Sequence, residues 1–436
     1  MSFSAWAMFV LFFLWSFLGM PIGHAMLASG IVYLLLTQQD IALVATQSLN
    51  GLYGSFVLLS VPLFILAAEI MNAGGLTEKM YGVANMLVGR FKGGLAHVNI
   101  LASVIFSGMS GSALADAAGP GKLEVDAMVK AGYKPGFAAA LSSTSAIIGP
   151  IIPPSIPMVL YGVVANTSIG YLFMGGVIPG LLLAGAQSAI VTVMARYKDF
   201  PVEPVPKFRE AAQTVFKAIP VLFLPVILLG GIYSGAVTPT EAAAVAAFCA
   251  LLLAFFLYRS LTLKAFYRVL VDSSKATAIV AVTIAGALVM NWVVAAEQIP
   301  EAMGQWMVSL DLSPVLFMFV VTVLFLILGA FLDTLLMLLI IIPILMPTVI
   351  ALGIDPVHFG VVSVVNLMIG LVTPPMGELV FLIAGVSGIK VADITKELWP
   401  FLIVLIGLLF VLAYVPQITL WLPEMAGYKV QGNFMR

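Results

Sequence analysis

Gly149-Pro-Ile-Ile-Pro-Pro-Ser155 and Gly370-Leu-Val-Thr-Pro-Pro-Met376 decide the fold, because each interrupts a long apolar stretch, one in either half of the chain. Adjacent prolines lack amide donors and their rings clash with the preceding turn, so a helix cannot run through them. The stretches at about 137–165 and 359–387 are therefore expected to be broken helices, each two half-helices around an unwound centre. Such a centre leaves carbonyl oxygens unpaired at the end of one half-helix and N–H groups free at the start of the next. The first suit a cation and the second an anionic group.

The two breaks lie 221 residues apart, and the same ungapped shift brings other positions into register. Gly108 falls on Gly329, Gly132 on Gly353, Pro135 on Pro356, Gly149 on Gly370, Pro153 on Pro374, Pro154 on Pro375 and Pro179 on Pro400. At ordinary glycine and proline usage about one such identity would arise by chance, so the chain reads as a duplicated module. An odd number of crossings between equivalent points, such as Phe137 and His358, inverts the second copy. Two inverted-topology repeats with interrupted helices at matching places are a recurrent design of secondary transporters.

Each copy has a second irregularity, a pair of apolar arms around a polar or glycine-bearing tip. The tips are Ser107-Gly-Met-Ser-Gly-Ser112 and Gly329-Ala-Phe-Leu-Asp-Thr334. Arms of roughly 13 residues reach about 20 Å, too short to cross a bilayer, which predicts re-entrant hairpins over about 94–128 and 314–347. Irregular backbone at that depth must be buried in protein or line a cavity.

Composition agrees that the solvent is lipid: 62% of residues are hydrophobic, 9% charged, and mean hydropathy is +1.14. Apolar windows recur from Ala5–Met20 to Trp399–Leu420, predicting an all-α polytopic membrane protein. The first of them reads as a retained span, having neither a basic start nor a cleavage site. Arg196, Lys198, Lys207, Arg209 and Lys217 crowd one loop, and Arg259, Lys264, Arg268 and Lys275 crowd the next but one. Both are cytoplasmic by the positive-inside bias. The net charge of −1 gives no basis for nucleic acid binding, and the single Cys249 excludes a disulfide framework.

The chain divides into scaffold helices at 1–72 and a first transport repeat at 73–196. Basic loops and scaffold helices follow at 197–295, then a second transport repeat with a C-terminal helix at 296–436. Within 197–295, the amphipathic segment 261–271 is expected to lie in the interface as a clamp.

A small hard cation needs several oxygen ligands, which a hairpin tip facing the unwound carbonyls of its own copy supplies. Two sodium sites follow. One uses Ser107, Gly108, Ser110, Ser145, Gly149 and Pro150; the other uses Gly329, Asp333, Asn366, Gly370, Thr373 and Met376. Proton coupling through Asp116 or Asp333 is the alternative. Glu69 and Glu378 are further embedded carboxylates, and such groups are functional by default. Thr238-Pro-Thr-Glu241 reads as a helix capping box, and His358 as an interfacial residue near a helix start. No nucleophile–base pair, metal-ligand spacing or phosphate loop of the G-x-x-x-x-G-K-[ST] type suggests an enzyme or an ATPase.

Phe106-Ser-Gly-Met-Ser-Gly-Ser-Ala-Leu-Ala-Asp116, Ile148-Gly-Pro-Ile-Ile-Pro-Pro-Ser-Ile-Pro-Met158, Leu352-Gly-Ile-Asp-Pro-Val-His-Phe-Gly-Val361 and Asn366-Leu-Met-Ile-Gly-Leu-Val-Thr-Pro-Pro-Met-Gly377 resemble the large membrane subunit of tripartite ATP-independent periplasmic (TRAP) transporters. The resemblance runs from the first span to Leu420-Trp-Leu-Pro423. It implies a sodium-driven importer of organic acids in a bacterial inner membrane, moving elevator-fashion. A periplasmic binding protein would deliver the solute and a small four-helix membrane subunit would brace the large one. It also places Ser110, Ser112, Ser155 and Asp333 nearest the solute. The sequence departs from the family's habit at Glu378-Leu379, where an apolar residue and Asn are usual. A related dicarboxylate symporter that works without a binding protein shares the same plan.

Overall fold

The structure, a computed structural model, describes residues 2–197, 200–201, 208–309, 313–432 and 434. Every regular element among them is helical. Among the described residues, seven helices are long and apolar enough to cross a membrane: Phe56–Ala73, Ile169–Tyr197, Ala212–Tyr233, Pro239–Leu257, Leu263–Ala296, Thr334–Ala351 and Val391–Tyr414. Large apolar side chains such as Phe3, Trp6, Phe223, Phe256 and Trp399 stand exposed on the outside, as lipid-facing helices require and a water-facing surface would not tolerate.

Both breaks form where the prolines put them. Pro135–Ala146 is followed by irregular backbone and then Ile156–Val164, and Pro356–Gly370 by irregular backbone and then Glu378–Ser387. Pro135 and Pro356 each occupy the first turn of the leading half-helix, where the missing N–H has no partner to lose. The second peptide of each proline pair is cis.

The hairpin arms are longer than the spacing predicts. The leading arms run over Gly94–Ser110 and Pro314–Gly329, 17 and 16 residues, and Thr334–Ala351 is an 18-residue stretch able to span by itself. The reason is that Ser107–Ser110 and Gly329 are still helical; only Gly111, at φ +61°, and Ser112 break the first tip, and Ala330–Asp333 the second. A glycine inside the last turn did not end the helix, whereas the left-handed one after it did.

The trailing half of each broken helix packs against the other copy. Glu378–Ser387 lies on the first hairpin's return segments, Ala113–Ala118 and Pro120–Lys130, and on Pro135–Ala146. Ile156–Val164 lies on the second hairpin's return arm at Met337–Ile341. Tyr161 reinforces this exchange by donating its hydroxyl to the Pro356 carbonyl at 2.7 Å. The two halves of the chain are thus interlocked around one central core.

The segment 261–271 opens a single long helix, Leu263–Ala296, which Thr262 caps and which runs on because no glycine or proline interrupts its first half. One expectation is corrected. His358 is fully buried rather than interfacial, held by Thr419 at 2.8 Å and facing the Ala413 carbonyl at 3.2 Å. The capping box at Thr238 and Glu241 is present, with both reciprocal hydrogen bonds made.

Candidate ion and solute site

Helix ends converge on each break, and their caps are the residues that the sequence singles out. Ser112 caps Ala113–Ala118 by accepting from the Ala115 N–H. Ser155 caps Ile156–Val164 by accepting from Met158, and its hydroxyl donates to the Pro150 carbonyl. Asp333 accepts from Leu335 at 2.8 Å and Leu336 at 3.3 Å. Ser112 and Asp333 are 221 residues apart, so the two hairpin tips use the same register position as a cap. A cap satisfies only part of a first turn, with the positive end of the helix behind it; at the Ser155 cap, however, the Ile156 and Met158 N–H groups are both bonded and Pro157 has none.

In the first copy the Ile156 N–H donates to the Gly111 carbonyl at 3.2 Å, joining the hairpin tip to the break. Gly111 allows this approach, since a side chain there would meet the Pro154 carbonyl. Gly149 faces the Ser112 carbonyl and the Asp116 carboxylate. Ser110 is completely buried and its hydroxyl has no partner in the protein. Ser107 turns back to the Val104 carbonyl at 2.6 Å, and Gly108 packs on Pro225 of a neighbouring helix, away from Gly149. Ser145 donates to the Asn99 amide oxygen at 2.6 Å. Gly149 and Pro150 therefore lie in the first break, and Ser110 immediately precedes the Gly111 that joins the tip to it, while Ser107 and Gly108 face elsewhere.

In the second copy Gly329 and Gly370 meet backbone to backbone, so the tip rests on the break as the register predicts. Asn366 donates to the Thr322 carbonyl at 2.9 Å, and its buried amide oxygen is unpartnered. The Thr373 hydroxyl turns back to Ile369 at 2.7 Å. Met376 is 57% exposed, with Pro375 and Glu378 exposed beside it. The first break, by contrast, is buried throughout from Gly149 to Ser155. One break is sealed and the other opens at the surface. Glu378 stands at that opening within the field of Asp333.

A buried polar network behind the first break was missed from sequence. Asn99 donates to Ser142 at 2.5 Å, Ser142 faces Glu124 at 3.5 Å, and Glu124 has Asp116 as its charged neighbour. Asp116 and Glu124 are each 1% exposed, and each keeps one carboxylate oxygen unpartnered. The signal was the spacing: Asp116 and Glu124, and facing them Asn99 and Ser103, recur at helical multiples of four, but Gly119-Pro120 between the acids masked it. Glu69 sits apart, half-buried in Ser60–Ala73 with Asp272 nearby.

The donors at both breaks are hydroxyls, amide oxygens, carboxylates and backbone carbonyls, the set a hard monovalent cation takes. The orphaned oxygens of Ser110 and Asn366 are what such an ion would satisfy, since a buried polar atom left unpaired costs about 1–3 kcal/mol. Sodium fits these residues.

The profile of the family described as Tripartite ATP-independent periplasmic transporter, DctM component, matches residues 9–418. The sialic acid TRAP transporter large permease protein SiaM of Vibrio cholerae is 42% identical over 409 residues, which is 94% of this chain and 96% of that protein. The C4-dicarboxylate TRAP transporter large permease protein DctM of Pseudomonas aeruginosa is 40% identical, covering 85% of this chain and 87% of its own length. The crystal structure of the YdaH transporter of Alcanivorax borkumensis superposes with a TM-score of 0.64 at 15% identity, over 85% of this chain and 87% of that one. That last likeness concerns the fold alone.

Proposed function

This chain belongs to the DctM component family of tripartite ATP-independent periplasmic transporters, and we propose that it is the permease subunit of a sodium-coupled importer of an organic acid. It is a multi-pass protein of the inner membrane. Relatives are named for sialic acid, for C4-dicarboxylates and for isethionate, solutes that have in common an anionic oxygen-bearing acid group, and the carboxylate is the form we propose for this chain. In this reading a periplasmic binding protein hands over the solute and a small membrane subunit braces the scaffold.

The observation that carries the reading is the presence of capped helix starts, at both hairpin tips and at the first break, together with unsatisfied buried oxygens at Ser110 and Asn366. Ser112, Ser155 and Asp333 hold helix N-termini whose positive ends attract a carboxylate. Ser110, Gly149 and Pro150, with Ser145 behind them, would hold one sodium ion; Gly329, Asn366, Gly370, Thr373 and the Met376 carbonyl would hold another, with Asp333 between ion and solute. Bound cations would offset the buried Asp116 and Glu124 and the rim acid Glu378, and bring an acidic solute in as part of a less negative whole. The interlocked repeats would then move together against the scaffold, elevator-fashion, carrying one solute site across.

Reconstitution with the small subunit and the neighbouring binding protein tests this directly. Uptake of sialic acid and of C4-dicarboxylates is measured with a sodium gradient, with a proton gradient and with neither. Uptake of one acid driven by sodium and absent without the binding protein is expected; uptake driven equally by protons alone, or independent of the binding protein, would overturn it.

A further inference from the structure

Outside the breaks, the described residues form a groove of about 670 Å³ between the start of Gly94–Ser110, the end of Leu76–Val88 and the last turns of Ile169–Tyr197. We propose that it binds one anionic phospholipid of the cytoplasmic leaflet.

The lining has two chemically distinct ends. Val88, Phe91, Ile100, Leu101, Val104 and Leu181 make an apolar trough, while Lys92 and Arg196 stand at its mouth with His97 and Thr192, which face each other at 3.5 Å. Fifteen residues separate Arg196 from Leu181 along one helix, about 22 Å at 1.5 Å per residue, enough to pass through one leaflet of a roughly 30 Å core. The floor is made of small residues, Ala184, Gly185 and Ser188. A side chain added at Gly185 would meet no atom within 4 Å, so the trough is open along its base. The mouth carries positive charge at the basic, cytoplasmic face. Its Arg90 guanidinium lies over the Phe91 ring at 5.4 Å, and the start of Gly94–Ser110 points its positive end the same way.

Those features select the occupant. A helix from another subunit, about 10 Å across, would lie over a trough of this volume rather than in it, and it has no reason to place an anion at one end. An acyl chain fills the apolar part, and a phosphodiester headgroup pairs with Lys92 and Arg196. Basic pockets between helices at the cytoplasmic face are known to take anionic headgroups. Because the trough touches the first hairpin, its occupant is a structural neighbour of the first break.

The test uses the permease with its small subunit, delipidated in detergent and supplied with phosphatidylglycerol or phosphatidylethanolamine. Native mass spectrometry and thermal melting read the outcome. Wild type is expected to retain one phosphatidylglycerol at least tenfold better than phosphatidylethanolamine and to melt higher with it. Lys92→Gln with Arg196→Gln should remove that preference. Gly185→Leu should remove retention of both lipids while melting like wild type without lipid. If Gly185→Leu does not fold, Lys92→Glu with Arg196→Glu, both exposed, supplies the second reading and should reject phosphatidylglycerol outright. Equal retention of the two lipids, insensitivity to the charge variants, or a photo-crosslinker at Gly185 that captures the small subunit instead of lipid would each overturn the proposal.

Discussion

Gly370→Ala is the perturbation whose size the structure fixes best. A methyl group there would stand 2.9 Å from the Cα, carbonyl carbon and oxygen of Gly329. Carbon contacts relax only at about 3.5–4.0 Å, so tip and break must part by roughly 0.6–1 Å. No flexible side chain can absorb the shift, because every atom met is backbone. Overpacking of this kind costs about 1–3 kcal/mol, a factor of about 5 to 150 in the equilibrium that seats the tip on the break. If the seated tip forms the second sodium site, half-saturation by sodium should rise within that range while uptake at saturating sodium recovers. Gly407→Ala is the control: nothing lies within 4 Å of the added methyl, and inside Val391–Tyr414 the change should stabilise by about 0.5–1 kcal/mol. The assay is proteoliposome uptake against sodium concentration, with melting followed in parallel. Wild-type sodium dependence and melting in Gly370→Ala would refute the steric argument. Reduced uptake at every sodium concentration, with half-saturation unmoved, would refute the link to the ion.

Other expectations follow from single contacts. Asp333→Asn keeps the cap on Leu335 and Leu336 but removes the charge, whereas Asp333→Ala loses both and about 0.5–2 kcal/mol with the cap; sodium-driven uptake should fall in both, melting chiefly in the second. If Asp333→Ala and Ser110→Ala both left sodium-driven uptake intact, the site assignment would be wrong. Ser145→Ala strands the buried Asn99 oxygen and should cost about 1–3 kcal/mol in melting, with a smaller additional loss when Asn99→Ala is combined with it. Glu297 accepts from the Ser2 N–H at 2.9 Å and its hydroxyl at 2.5 Å, which holds its carboxyl below the usual 4.5. A depressed carboxyl stabilises above its unfolded value and loses that contribution as pH falls through the folded one, so Glu297→Gln should flatten the acid limb of melting below about pH 4.5; an unchanged limb would refute it.

Why some features were legible and others were not comes down to chain-local against non-local physics. Paired prolines act on their own turn, so both breaks could be read directly, whereas the capping roles of Ser112 and Asp333 emerged only with the helix ends in place. Helix termination depends on backbone sign at one residue, and whether Gly108 or Gly111 turns left-handed is decided by what each meets. Gly108 meets Pro225 and Gly111 meets Pro154, contacts between segments that spacing cannot report. The Asn99–Ser142–Glu124 network is non-local in the same way, joining the first hairpin to the broken helix.

The two copies share a register but not an environment, and this difference bears on how many solute sites there are. Two fully equivalent breaks would offer two equivalent pockets. Here the first break is sealed by Gly111, Ile156 and the buried Ser155, while the second opens at Pro375, Met376 and Glu378. Each trailing half-helix also lies on the opposite hairpin. A carboxylate entering at the second break would meet Asp333 and Glu378 first, and two acids repel it unless a cation lies between. The asymmetry therefore predicts order as well as number: ions bind before the solute, and the solute's apparent affinity falls as sodium is withdrawn. Glu378→Gln should weaken that dependence without abolishing uptake, measured as solute half-saturation at high and low sodium. A dependence unchanged by the substitution would leave Glu378 a helix-end charge and nothing more.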